Sequence, residues 1–284
     1  MSELARLQEH IVDGSIRIIN MIGVPRSVST ALGRSLNEAD ELSIFINEPF
    51  NRNNRDIEVA ASSVMETAET VLDTADSPLT IITKNMSTYL SPEAYQELEG
   101  LSEGQVWSVR DPLIQMGSLV TRIANDIAIE TGADKVTQST ALPYLNEVDS
   151  FLRKSNLSTG YSRTGWSSIG SHYSNIANPE RSIVIDGDEL TVNPVRVLKE
   201  ACKKIKLGFT PNMIEGWDSD YTNVNVGSSR FRTSENAWTK HAATSSGIVA
   251  TQRQPLGLET LPATMRKHIT EVAIPTYEEM RKPH

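Results

Sequence analysis

Five short apolar runs, alternating with helix-like stretches, constrain the fold of this chain more than any other feature of its sequence. Each run is rich in β-branched or aromatic residues, as strands buried in a parallel sheet are. The runs lie at 16–22, 42–46, 79–83, 106–109 and 182–185, and the helical stretches at 30–41, 56–75, 92–101 and 112–131. This alternation predicts an α/β fold with a central parallel sheet flanked by helices.

Nothing in the sequence divides the chain, so we predict a single domain over residues 1–284. From about 132 to 180 the chain is rich in Ser, Thr, Asn and Tyr, and apolar residues with helical spacing predict a helical insertion over the sheet. From about 217 to 250 a Ser/Asn/Thr-rich stretch with little periodicity predicts a surface loop that covers a ligand.

Composition and charge exclude several classes of protein. Cys202 is the only cysteine, which excludes a disulfide scaffold and a cysteine-based zinc site. A net charge of −9 argues against a nucleic-acid partner, whose phosphates favour a basic surface. No apolar run is long enough for a membrane span or a signal peptide, so we expect a cytoplasmic protein without a membrane partner. No feature of the sequence predicts an oligomeric state.

The segment GVPRSVSTALGRSL after the first run has the features of a phosphate-binding loop. Gly23 and Pro25 turn the chain, and Ser29-Thr30 open a helix, so backbone N–H groups and the positive helix end converge on one point. Arg26 supplies a counter-charge. The segment lacks the second glycine and the lysine of a Walker A loop. The alternative is an ordinary turn in which Ser29 or Thr30 only caps the helix.

The segment VWSVRDPLIQMGSL places Arg110 at the carboxyl end of the fourth run and Ser118 two turns into the following helix. An arginine and a serine so placed can bind one dianionic group together. The alternative is that Arg110 and Asp111 form a surface cap.

Taken in order from about residue 16 to 247, several segments resemble those of the PAPS-dependent sulfotransferases, and some of them resemble bacterial, small-molecule members of that family. PAPS is 3′-phosphoadenosine-5′-phosphosulfate. The segments are PRSVSTAL, NEPF, VRDP with its serine eight residues beyond the arginine, GWSSIGSHY, VIDGDELTVNP and AWTKHAATSSGI.

The resemblance implies a P-loop-like, three-layer fold that binds PAPS as co-substrate, releases 3′,5′-ADP and requires no metal. The implied 5′-phosphosulfate loop comprises Arg26, Ser27, Val28, Ser29 and Thr30. The implied 3′-phosphate site comprises Arg110 and Ser118, with Arg230 and Arg232 placed just before Trp238, which either packs or stacks on adenine.

The resemblance also implies catalytic residues. Lys84 matches the family lysine that reaches the transferring group, and Arg26 stands where many members have a lysine; the alternative for Lys84 is a solvated strand end. Where cytosolic members place a histidine base, this chain has Met86. Glu48, in NEPF, lies where other members carry a glutamate base; the alternative is that it pairs with Arg26 or caps a turn.

Two histidines, His172 and His241, are alternative bases, although a helical histidine beside an aromatic ring is more often structural. The acidic triplet of Asp186, Asp188 and Glu189 is interpreted as a solvated helix cap rather than a metal site.

The predicted function is transfer of a sulfuryl group from PAPS to a hydroxyl or nitrogen of a small-molecule acceptor. The net acidity and the polar insertion favour a polar, cationic natural product, for which a saxitoxin-type alkaloid is one candidate. The alternatives are an ATP-dependent small-molecule kinase and a catalytically degenerate nucleotide-binding module.

Overall fold

The structure, a computed structural model, describes residues 1–39, 42–50, 56–73, 77–153, 161–176, 178–217, 245–249, 255 and 257–282. Each of the five apolar runs forms a strand, and neighbouring strands pair in parallel in the order β2-β3-β1-β4-β5. The strands are β1 (Ile16–Gly23), β2 (Ser43–Asn47), β3 (Leu79–Met86), β4 (Gly104–Val109) and β5 (Ser182–Asp186). The predicted α/β fold with a central parallel sheet is confirmed.

Helices connect the strands and cover the sheet. They are α1 (Glu3–Val12), α2 (Ser29–Leu36), α3 (Ile57–Leu72), α4 (Pro92–Leu101), α5 (Pro112–Glu130), α6 (Leu145–Arg153), α7 (Trp166–Ser174), α8 (Gly187–Val192) and α9 (Pro194–Ile205). Near the carboxyl end, a helix at Ala263–His268 continues through a π-helical turn at Ile269–Ala273 into Ile274–Met280. Helices α6 and α7 lie within the predicted insertion. The predicted loop at 217–250 falls almost entirely outside the described residues.

Both faces of the sheet are packed against helices, because successive side chains of a strand point to opposite faces. On one face, strand residues Ile19, Phe45 and Ile82 pack in one cluster with Leu32 of α2 and Leu198 of α9. On the other face, Ile18, Ile46 and Ile81 pack with Leu7 of α1 and Val64 of α3. The result is three layers, helix on sheet on helix.

The parallel arrangement brings five strand ends to one edge of the sheet. This carboxyl edge carries the loop that follows β1, Glu48 after β2, Lys84 near the end of β3, Arg110 after β4 and the turn after β5. The fold therefore collects the predicted site segments of the described chain in one region. No helix in the described part of the chain has both the length and the apolar character needed to cross a bilayer.

His268 makes the stability of the fold depend on pH. It is buried, its Nε2 lies 2.9 Å from Thr164 Oγ1, and its ring stacks on Tyr161. Burial lowers the pKa of His268 from 6.5 to about 4. The folded state therefore binds fewer protons than the unfolded state, so the contribution of neutral His268 is complete above pH 6.5 and is lost as the pH falls toward 4.

Because the unfolded state binds this proton more tightly, we expect the free energy of unfolding to fall by roughly 2 to 3 kcal/mol through His268 when the pH is lowered from 7.5 to 4.5. Urea denaturation at the two pH values measures the loss. In His268→Gln, which keeps a hydrogen-bonding side chain without a titration in this range, the loss should be smaller by that amount. An equal loss in the variant would show that other groups cause it.

Candidate active site

The loop between β1 and α2 has an unusual backbone conformation. Arg26 and Val28 have left-handed φ values of 70° and 67°, which cost L-residues roughly 1–2 kcal/mol each. Val28 precedes the first residue of α2, and no side chain caps the helix. The alternative in which Ser29 or Thr30 is merely a capping residue is therefore wrong, since both lie inside the helix.

The backbone N–H groups at the start of α2 are available to a ligand. Within the described part of the chain, no hydrogen bond occupies the N–H groups of Ser27, Val28, Ser29 or Thr30. Unoccupied N–H groups at a helix N-terminus attract anions, because the helix dipole adds partial positive charge there. The arrangement is suited to holding a phosphate group.

Two serines of this region shape the loop from inside the protein. The hydroxyl of Ser27 donates to Val24 O at 2.8 Å, and the hydroxyl of Ser108 on β4 donates to Ser27 O at 3.0 Å. The side chain of Ser27 thus faces the core, and what Ser27 can offer a ligand is its N–H group. On the outer side, Arg26 Nε donates to Ser118 Oγ at 3.0 Å.

Two residues that the sequence analysis did not single out hold the loop in place. Gln115 of α5 is buried and donates from Nε2 to Pro25 O at 2.8 Å. Gly165 has φ +85°, and a Cβ there would lie 2.7 Å from Ser87 Oγ and 2.9 Å from Pro25 Cδ, so only glycine allows this close approach. The sequence signal for Gln115 is its spacing of three residues from Ser118, which places both on one face of the helix.

Lys84 and Glu48 form an ion pair at the carboxyl edge. Lys84 Nζ lies 2.6 Å from Glu48 Oε1, and the two side chains are 0% and 17% exposed. The Glu48 N–H group also donates to Lys84 O, and Glu48 has a left-handed φ of 57°. The alternative of a solvated strand-end lysine is wrong, and Glu48 pairs with Lys84 rather than with Arg26.

Asn47 lies beside this pair. It is the register partner of Lys84 across β2 and β3, and it is fully buried. Neither its Oδ1 nor its Nδ2 has a hydrogen-bond partner among the described residues. A buried amide without a partner costs about 1–3 kcal/mol, so an orphaned amide next to Lys84 marks this position as one that a ligand or water would satisfy.

Arg110 is almost completely buried, with a relative exposure of 2%. Its Nε and Nη2 donate to Asp188 Oδ1 at 2.8 and 2.5 Å. Asp111 instead caps α5 by accepting from two N–H groups of its first turn, so the alternative of an Arg110–Asp111 surface cap is wrong. Joint binding of a dianion by Arg110 and Ser118 stays a prediction; here Ser118 bonds to Arg26.

Within the acidic triplet after β5, Asp186 is the helix cap that the sequence predicts, and it is buried rather than solvated. Asp186 accepts from the N–H groups of Asp188 and Glu189 at the start of α8, and it also accepts from the hydroxyl of Tyr277. The pKa of Tyr277 is raised, mainly because its hydroxyl is buried and secondly because it bonds to the Asp186 carboxylate. Across the described ranges, no three His, Cys, Asp or Glu side chains are grouped so that they could hold a metal ion.

The alternative bases have different outcomes. His172 is buried, its ring stacks on Tyr95 at 4.7 Å, and burial lowers its pKa. These features favour the structural interpretation of His172. His241 lies outside the described residues, as do the predicted nucleotide-binding residues Arg230, Arg232 and Trp238.

Comparison with known proteins gives structural similarities alone. No protein-family model matches this chain. No curated protein matches it either.

Among solved structures, the chain is similar to the sulfotransferase domain from the curacin biosynthetic pathway, with 15% identity, coverage of 90% of this chain and 97% of that chain, and a TM-score of 0.48. It is also similar to mouse sulfotransferase SULT7A1 complexed with PAP (14% identity, 98% and 90% coverage, TM-score 0.45). A third similar structure is the sulfotransferase domain from the Synechococcus PCC 7002 olefin synthase (14% identity, coverage of 89% of this chain and 94% of that chain, TM-score 0.44). At these TM-scores the similarity assigns no function to the chain.

Proposed function

We propose that this protein is a sulfotransferase that moves a sulfuryl group from PAPS to a hydroxyl or nitrogen of a small molecule. The observation that carries the proposal is the Lys84–Glu48 ion pair, in which Lys84 lies on β3, the strand next to β1 and its loop, and Glu48 follows β2, the strand beyond β3. Transfer of a sulfuryl group needs a cation on the transferring oxygens and a base for the acceptor proton, and this pair supplies one of each. In a Walker-type NTPase the lysine would come from the loop itself.

The described residues fit PAPS at both of its charged ends. The unoccupied N–H groups of Ser27 to Thr30 suit the 5′-phosphate, and the guanidinium of Arg26 lies on the same loop. The buried guanidinium of Arg110, at the end of the neighbouring strand β4, suits the 3′-phosphate. The orphaned amide of Asn47, beside Lys84, offers both a donor and an acceptor to a ligand.

Each side chain then has a defined task. PAPS, when bound, supplies the sulfuryl group. A bond from the acceptor oxygen or nitrogen to sulfur forms as the bond between sulfur and the 5′-phosphate oxygen breaks. Lys84 neutralises charge on the sulfuryl oxygens, and Glu48 accepts the proton of the acceptor. Arg26 neutralises the phosphate side but keeps its own proton, because a guanidinium is not deprotonated in proteins.

The proposed acceptor is a polar, cationic small molecule. The net charge of −9 and the Ser/Thr/Asn-rich insertion support this class, and aromatic residues make up only 6% of the chain, which disfavours flat aromatic acceptors. A guanidinium alkaloid of the saxitoxin type remains one candidate for the acceptor.

The proposal is tested by incubating the protein with ³⁵S-labelled PAPS and a set of cationic alkaloids, amines and alcohols without added metal. We expect ³⁵S in one of the acceptors and an equal amount of 3′,5′-ADP. Lys84→Met should abolish both products. Phosphoryl transfer from ATP with Mg²⁺, without any transfer from PAPS, would contradict the proposal.

A further inference from the structure

The Asp188 carboxylate is bonded to the guanidinium of Arg110, which binds the 3′-phosphate in the proposed function. One oxygen of its carboxylate, Oδ1, accepts both bonds from Arg110, and the Asp188 side chain is 30% exposed. The other oxygen, Oδ2, is buried and has no hydrogen-bond partner in the described part of the chain. The carboxylate is therefore held through one oxygen only, on the ligand-facing edge of the sheet.

The backbone that carries Asp188 is fixed, so only its side chain can leave Arg110. The N–H group of Asp188 donates to the cap residue Asp186 at 2.8 Å. The preceding residue, Gly187, packs under the phosphate-binding loop so closely that a Cβ there would lie 2.6 Å from Ser27 O. The side chain of Asp188 takes no part in these contacts, so its bonds to Arg110 can break while the cap of α8 is kept.

Charge decides which anion Arg110 prefers. A phosphate monoester carries about −1.5 to −2 at pH 7, against −1 for a carboxylate, and it offers three acceptor oxygens. If Arg110 bound the phosphate while it still held the Asp188 carboxylate, the two anions would lie close together and repel each other. The 3′-phosphate would gain the contact only by displacing the carboxylate.

We propose that Asp188 competes with the 3′-phosphate for Arg110, and that this competition limits the affinity for 3′,5′-ADP. The inference rests on the proposed function, because it assumes that Arg110 receives a 3′-phosphate. Displacement on binding and return on release would keep Arg110 paired in both states. The carboxylate thereby speeds release of the product nucleotide, a step that limits turnover in many enzymes.

The experiment is a calorimetric titration of wild type, Asp188→Asn and Glu189→Gln with 3′,5′-ADP and with AMP at one salt concentration. Asparagine keeps the shape of the side chain and removes its charge. Glu189→Gln is the matched control, because Glu189 is the next residue of α8 but pairs with Arg196 and Arg281 at 3.0 and 2.7 Å.

We expect Asp188→Asn to lower the Kd for 3′,5′-ADP about 5- to 20-fold and to leave the Kd for AMP within about twofold. Glu189→Gln should leave both within about twofold. Unchanged or weaker binding of 3′,5′-ADP to Asp188→Asn would overturn the inference and show that Asp188 only orients Arg110. An equal gain in Glu189→Gln, or an equal gain for AMP, would overturn it as well. If wild type and variants bind neither nucleotide, the proposed function itself fails.

Discussion

We expect Glu48→Gln to lower kcat by roughly 10²–10⁴-fold, the usual contribution of general-base catalysis. Glutamine keeps the size of the side chain and an oxygen that accepts from Lys84, but it cannot take a proton from the acceptor. The affinity for 3′,5′-ADP should stay within about twofold, because the loop N–H groups and Arg110 are unchanged. The rate of 3′,5′-ADP release from PAPS in the presence of an acceptor gives kcat, and calorimetry gives the affinity.

Matched histidine variants separate Glu48 from the alternative bases. His172→Gln and His241→Gln should keep most of the activity. Near-normal turnover in Glu48→Gln combined with loss of activity in a folded histidine variant would show that the glutamate assignment is wrong. Activity in all three variants would mean that the acceptor needs no protein base, which also contradicts a catalytic role for Glu48.

The second large effect is expected at Arg110. Arg110→Ala should weaken 3′,5′-ADP binding by about 30- to 150-fold, which corresponds to the 2–3 kcal/mol of a charge-assisted contact at a buried guanidinium. AMP, which lacks the 3′-phosphate, should lose less than about threefold. Calorimetry measures both affinities, and a thermal melt shows whether the variant remains folded with Asp188 deprived of its partner.

Arg122→Ala serves as the control for Arg110→Ala. Arg122 lies on α5 and pairs with Asp126 one turn further along the same helix. Its removal takes away one positive charge without touching the β4 strand end, so both nucleotides should bind as in wild type. Wild-type binding of 3′,5′-ADP to Arg110→Ala, or an equal loss for AMP, would remove Arg110 from the nucleotide site.

The sheet was predictable from sequence because its signal is local. Each strand is a short β-branched run, and each crossover helix has its own apolar periodicity and start signals, such as Asp56 before α3 and Pro112 in the first turn of α5. The apolar periodicity predicts a helix to residue 41, but α2 ends at Leu36. Asn37 is the C-cap, and from there to residue 41 only Ala39 of the described residues packs against the core, so too little apolar surface remains to extend the helix.

The position of the loop between β1 and α2 is predictable from sequence for the same reason, but the ion pairs near it are not. The turn residues and the helix start lie within a few positions of one another in the sequence. The pairs Glu48 with Lys84 and Arg110 with Asp188 join residues 36 and 78 positions apart. Sequence spacing carries no information about such pairs, so the sequence leaves Arg26 as an alternative ion-pair partner of Glu48 and predicts that Asp188 belongs to a solvated cap.

A PAPS-type site is tested by calorimetric titration of the wild-type protein with 3′,5′-ADP, AMP and ATP, each with and without Mg²⁺. We expect 3′,5′-ADP to bind at least about tenfold more tightly than AMP or ATP, a difference of roughly 1.4 kcal/mol, with no dependence on Mg²⁺. At about 100 times its Kd the nucleotide should stabilise the fold by roughly 2.7 kcal/mol. Equal affinity for AMP and 3′,5′-ADP, or tightest binding of ATP that requires Mg²⁺, would contradict a PAPS-type site.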